Sequence, residues 1–171
     1  MAFQFRKSRN PNGGRELVEY TFDDSATFTV GDALKFDVAG KLVLWGQGGA
    51  GLGILVEVHK ANGAPVTDNG SGGDYVGTYT TPASNTVVGV VDASIESVYS
   101  VTADDTLGNT TGSDLPGYSM DCNTASDQLD ENASTQAPGT TASFFSWGQD
   151  PDPTAADNSV LVSIQESQVK I

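Results

Sequence analysis

Cations, cysteine and histidine are the scarce residues of this chain, and each shortage closes a class of function. Only 8 of its 171 residues are Lys or Arg, against 22 Asp or Glu, for a net charge of −14. Such a body repels phosphate backbones and anionic membrane surfaces at long range, so neither nucleic acid nor a membrane is an expected partner. One cysteine, Cys122, allows no internal disulfide. One histidine, His59, removes most metal sites and most acid–base machinery. No apolar run is long enough to span a bilayer. The N-terminal MAFQFRKSRN lacks the apolar stretch of a secretory signal. Hydrophobic residues still make up 37% of the chain, with 20 glycines besides, so a packed core is within reach. These limits favour a structural or binding protein.

The charge is unevenly placed. Arg6, Lys7, Arg9 and Arg15 give residues 1–15 a net +4 with no acid, while residues 16–171 hold the other four cations and all 22 acids. From Ala61 to Val169 there are fifteen acids and no Lys or Arg. The leader also carries Phe3 and Phe5, and it ends in Asn10-Pro11-Asn12-Gly13-Gly14, a cluster of chain breakers. The expectation is an extended N-terminal arm, residues 1–15, hinged to a single β domain, residues 16–171. Phe3, Phe5, Arg6, Lys7, Arg9 and Arg15 are its candidate partner-binding residues.

Apolar residues recur with period two nearly throughout. Leu17 to Phe22 reads as a first strand, and Ala26 to Val30 places Phe28 and Val30 on one face. Leu34, Phe36 and Val38 alternate with polar residues up to a two-residue break at Ala39-Gly40, and Lys41 to Trp45 returns, predicting a hairpin. Ile54, Val56 and Val58 alternate with Leu55, Glu57 and His59. Tyr75–Thr81, Thr86–Val91, Ile95–Thr102, Ser143–Trp147 and Ser159–Ser167 complete about nine strands. Val160, Val162 and Ile164 share a face. A long polar loop is expected at about 107–138, with at most one short helix opening at Thr124-Ala125-Ser126-Asp127 above Leu129. The fold class is all-β, a barrel or a sandwich.

Motifs of catalytic type do not survive inspection. Gly46-Gln47-Gly48-Gly49-Ala50-Gly51 fits G-x-G-x-x-G, but the following Leu52 to Val58 is strand-like, not the helix that a dinucleotide needs. A hairpin loop or a close backbone approach explains these glycines. Gly117-Tyr118-Ser119-Met120-Asp121 lacks both the second glycine and a histidine base nearby. His59 reads as a solvated histidine at a strand edge, and Cys122 as a small buried hydrophobe. The acids cluster in polar loops, as in Asp104-Asp105 and Asp150-Pro151-Asp152, and read as solvated surface. Asp68 to Asp74 and Asp150 to Asp157 do not follow an EF-hand pattern. No catalytic residue, metal or cofactor is expected, and the protein reads as a non-enzyme.

The run from Ala33 to Leu44, with the glycine-rich link and Gly53 to Glu57, resembles small virion proteins of tailed phages, the capsid decoration or cement proteins. The ending from Asp150 to Gln168 resembles them too. The resemblance implies a β-rich bacteriophage structural protein without enzymatic activity, made in the host cytoplasm and carried as a homotrimer on the outer surface of the virion's capsid. Its partners would be the major capsid protein and copies of itself, with residues 1–15 reaching onto the lattice. The alternative is a phage tail or fibre module, or a lectin-like glycan-binding module presenting Tyr75, Tyr79, Tyr118 and Trp147.

Overall fold

The computed structural model describes residues 3–9, 14–23, 27–46, 51–64, 78–80, 87–103, 116–117, 119–122, 128–130, 144–152, 154–155 and 158–165. Among these residues the fold is all-β, with strands and no helix. One antiparallel sheet, sheet A, has the order β1 (Gln4–Ser8), β9 (Ser97–Thr102), β13 (Ser159–Ile164), β12 (Phe144–Gln149), β10 (Ser119–Cys122) and β11 (Leu129–Asp130). A second, sheet B, has the order β2 (Leu17–Thr21), β8 (Val87–Asp92), β6 (Gly53–Lys60), β4 (Ala33–Phe36) and β5 (Leu42–Leu44). A small third sheet joins β3 (Thr27–Thr29) to β7 (Thr78–Thr80). The architecture is sandwich-like, and the thirteen described strands exceed the nine expected because several are only two to four residues long.

Two apolar cores hold the layers together, one on each face of sheet B. The first gathers Tyr99, Val101, Phe144, Val160, Val162 and Ile164 from sheet A against Ala33, Trp45 and Ile54. The second gathers Phe22, Phe28, Leu34, Leu42, Leu55, Val58, Val87 and Val91, with the Phe22 and Phe28 rings stacked at 3.7 Å. Neighbouring residues therefore enter different cores: Ala33 the first and Leu34 the second, then Ile54 the first and Leu55 the second. A strand buried on both faces needs apolar residues in unbroken succession, which is why Gly53 to Val56 carries no polar residue.

A bulge in β6 corrects the predicted alternation. The register against β8 shifts between Leu55 and Glu57, so Val58 falls on the same side as Leu55, in the second core. His59 sits near the end of β6, opposite Val88 of β8 and past Gly53 and Ile54, the residues that pair with β4, and it is half-buried. Its Nδ1–H donates to the Lys60 carbonyl at 2.8 Å. The hairpin β4–β5 is as predicted in its strands, with Leu34 opposite Leu44 and Phe36 opposite Leu42. Its turn is longer than Ala39-Gly40. Asp37 closes it by accepting at Oδ1 from the N–H groups of Ala39 and Lys41, and Gly40 takes the left-handed backbone at φ 77°. Val38, expected inside, sits on the tip of that turn and is fully exposed. Val30 likewise lies in a turn after β3, while Phe28 is buried.

The glycine-rich link 46–53 is a close-approach device where it is described. A Cβ on Gly51 would strike the Trp45 ring, and one on Gly53 would strike the Asp92 carbonyl. Cys122 is buried in the first core, as expected. The predicted long loop contains β10 and β11, and Leu129 packs into the first core from strand β11. The proposed helix start at 124–127 lies outside the described residues.

Candidate functional site

The leader is the segment to follow, because the sequence placed all six candidate residues there. It is not a separate arm. Gln4–Ser8 pairs antiparallel with β9 as the outermost strand of sheet A, Gln4 opposite Ser100 and Phe5 opposite Tyr99. Phe3 is buried in the first core, its ring stacked on Phe144 at 4.9 Å and edge-on to Tyr99 at 6.4 Å. The Phe3 N–H donates to the Gly31 carbonyl at 3.0 Å, and the Gly31 N–H to Leu55 at 2.8 Å, so the leader is tied to sheet B as well. Two phenylalanines in an F-x-F pattern on an edge strand find apolar surface in their own chain, which is why a free arm is not the outcome.

The leader's charge is spent the same way. Arg6 bridges Asp150 at 3.0 Å and Asp152 at 3.1 Å. Arg9 lies 3.4 Å from Glu96 and donates to the Ile95 carbonyl at 2.8 Å. Arg15 donates from Nε to the buried Asp92 at 2.7 Å, and its guanidinium covers the Phe5 ring at 4.2 Å. Three arginines thus meet four carboxylates, and the isolated positive stretch of the sequence becomes nearly neutral ground in the fold. Lys7 makes no ion pair among the described residues.

Asp92 is the best satisfied of these acids. Its carboxylate accepts from Arg15, from the Ser97 hydroxyl at 2.8 Å and from the Ser94 N–H at 3.1 Å. Tyr99 stands beside it; burial first, then the Asp92 charge, pushes the phenol far above its usual range, so it stays protonated. Burial pushes Asp150 up, but hydrogen bonds from Ser100 and the Asp152 N–H, together with Arg6, outweigh it and hold the carboxyl below its usual range. Asp152 is held low by the N–H and hydroxyl of Thr154, helped by Arg6.

A distinctive surface results on the outer face of sheet A. Tyr99 and Val101 point into the first core, so Val98 and Ser100 point outward, yet both are buried. They are covered. Trp147 lies on this face, its Nε1–H donating to Ser163 at 3.1 Å and its ring meeting Phe145 edge-on at 4.8 Å. Arg9 stacks on Trp147 at 4.8 Å, and Lys7 stands opposite Val98. Trp147 remains 39% exposed. Aromatic and cationic side chains thus lie together on a chain that is otherwise acidic.

No known protein family, curated protein or solved structure matches the chain.

Of the residues singled out in the sequence, Lys7 and Arg9 share this outer face with Trp147, Arg6 is held by Asp150 and Asp152, and Phe3, Phe5 and Arg15 serve the interior side of the leader. The acids that grip the arginines were not recognisable in sequence, because Asp92 and Asp150 are 77 and 144 positions from their partners. Tyr75 and Tyr118 lie outside the described residues, and Tyr79 is in β7 opposite Phe28. No group of three or more His, Cys, Asp or Glu side chains able to hold a metal occurs among the described residues.

Proposed function

We propose that this protein is a structural virion protein that decorates a tailed-phage capsid, bridging neighbouring capsomers from the outside as a trimer. One observation supports the reading above the others: Lys7, Arg9, Phe145 and Trp147 form an aromatic, cationic surface on a body of net charge −14. Such a surface suits a protein partner, since aromatic residues and arginine dominate the energetics of interfaces. Weak contacts of this kind, repeated over a lattice, add to large avidity. The acidic remainder keeps decorated particles apart.

The leader contributes in this reading as an integral strand that presents Lys7 and positions Arg9. Removing residues 1–15 would therefore damage the body itself and cannot test docking. The proper variants are Lys7→Glu and Trp147→Ala, on the surface and outside both cores. Binding of each to purified shells that lack the protein should fall at least tenfold while the folded circular dichroism spectrum is kept. Equal binding by the double variant and the native chain sinks the reading. Copy number in purified virions separates the alternatives: hundreds per particle mean the shell, a handful mean a tail or fibre. A lectin-like role would require a sugar to stack on Trp147, but Arg9 already lies over that ring. A specific hit on a glycan array, lost in Trp147→Ala, would favour it nonetheless.

A further inference from the structure

A groove opens between the leader and sheet B. Phe3 and Phe5 of β1 line it on one side, Val30, Gly31 and Val56 on the other, and Arg15 and Tyr99 line it too. It is open to solvent and has a volume of about 360 Å³. Pockets for small ligands begin near about 300 Å³, so this one suits a single bulky side chain and its peptide unit, not a long segment. Phe5 is 39% exposed and Val30 37%, two apolar residues left partly in water. Gly31 ties the walls together: its carbonyl accepts from the Phe3 N–H at 3.0 Å, and its N–H donates to the Leu55 carbonyl at 2.8 Å. The groove is therefore held by the chain's own backbone bonds.

The backbone along the leader side is turned toward this space. The Phe3 N–H points away from β9, since it reaches Gly31. The pairing with β9 is regular through Gln4 and Phe5, and the bulge comes only after Phe5. Backbone groups alternate along a strand, so the Phe5 N–H and C=O point the same way as those of Phe3.

The polar groups of the groove are donors short of an acceptor. Arg15 is engaged only through Nε, which donates to Asp92 at 2.7 Å; its Nη2 is buried with no hydrogen-bond partner. The buried Tyr99 hydroxyl stands beside Asp92 and Ser97 without hydrogen-bond geometry to either. The Asp92 carboxylate already accepts three hydrogen bonds, from Arg15, Ser94 and Ser97. An acceptor from outside the chain would relieve this shortage.

Charge decides which acceptor. Asp92 already balances Arg15, and the body carries −14, so a further carboxylate would enter against the field. A neutral carbonyl would not. A peptide unit joins a neutral carbonyl to an N–H, the complement of what Phe5 and Arg15 present.

We infer that this groove takes one large apolar residue of an extended segment of another protein, its side chain among Phe5, Val30 and Val56 and its main-chain carbonyl on the Arg15 guanidinium. One bulky side chain seated in a small pocket is the usual anchor of an interface. The inference holds whether or not the partner belongs to a capsid, and it concerns a surface distinct from that of Lys7 and Trp147.

The test titrates the ¹⁵N-labelled full chain with N-acetyl-phenylalaninamide, with its free acid, and with N-acetyl-glycinamide. Amide shifts should concentrate at Phe5, Gly31 and Val56 with the first, be weaker with the acid and be absent with the glycine compound. Val30→Glu, a surface change outside both cores, should weaken binding about tenfold or more, because its carboxylate must lose water in the groove. Val38→Glu, on the exposed hairpin tip, should bind as the native chain does. Arg15→Lys keeps the charge beside Asp92 and should weaken binding about two- to tenfold, the scale of one hydrogen bond. Should that variant not fold, Val30→Glu still decides. Shifts elsewhere, none at millimolar amide, tighter binding of the acid, or equal binding by Val30→Glu and the native chain overturn the inference. So does a dimer in sedimentation velocity that Val30→Glu abolishes, which would give the groove to a second copy.

Discussion

Arg15 and Asp92 form an ion pair at 2.7 Å between residues 77 positions apart, with the carboxylate fully buried. The pair joins the end of the leader to the last residue of β8, and two further donors, Ser97 Oγ and the Ser94 N–H, complete the acceptor's shell. Removing one partner strands the other. Asp92→Ala should destabilise the fold by about 3–5 kcal/mol, seen as a lower urea midpoint. A midpoint within error of the native chain would show that Arg15 finds water instead.

Phe3 anchors the leader. Phe3→Ala leaves a cavity against Phe144 and Tyr99 and should cost about 3–5 kcal/mol. Removing residues 1–9 should lower the melting temperature further and expose β9. Were residues 1–15 a separable arm, neither change would move the thermal transition.

Gly51 lies against the Trp45 indole so closely that no Cβ fits. Gly51→Ala should therefore cost about 1–3 kcal/mol through overpacking and shift the Trp45 emission to the red in a Trp147→Phe background. Unchanged emission and stability would mean that the link moves aside without strain.

Arg6 should stabilise the protein in a pH-dependent way. Asp150 and Asp152 both have folded pKa values below their unfolded ones. A depressed carboxyl contributes stability that is fully present above the unfolded pKa, roughly 4, and is lost as pH falls through the folded value. The stability gap between the native chain and Arg6→Ala should thus be constant near neutrality and close as pH drops below about 4. Added salt should narrow it too, since these charges are partly exposed. A gap that widens in acid would contradict the ion pairs.

How much of this was legible in the sequence depends on the range of the forces. Alternation revealed the strands where apolar and polar residues take turns, as in β13, whose Val160, Val162 and Ile164 all enter the first core while Ser159 and Ser163 lie on the other face. It failed at Val56, where an extra residue in β6 resets the pattern with no local signal. It also failed at Val38, because Asp37 captures the turn through its own carboxylate. The leader was recognised as distinctive by charge and aromatics. Its destination was not, since Asp150 and Phe144 lie more than a hundred residues away and only the completed sheet brings them near. Trp147 could be suspected from its residue type, but its neighbours Arg9 and Lys7 could not.

A strand that is greasy on both sides has little reason to stop at one alignment, because sliding by a single residue buries as much as before. The first half of β6, Gly53 to Val56, is such a stretch, yet the only residue it can place beside the Asp92 carbonyl is Gly53. A slide in either direction would bring Leu52 or Ile54 to that spot and jam. The missing side chain thus works as a key that lets the sheet lock in one alignment, and both cores inherit their order from it.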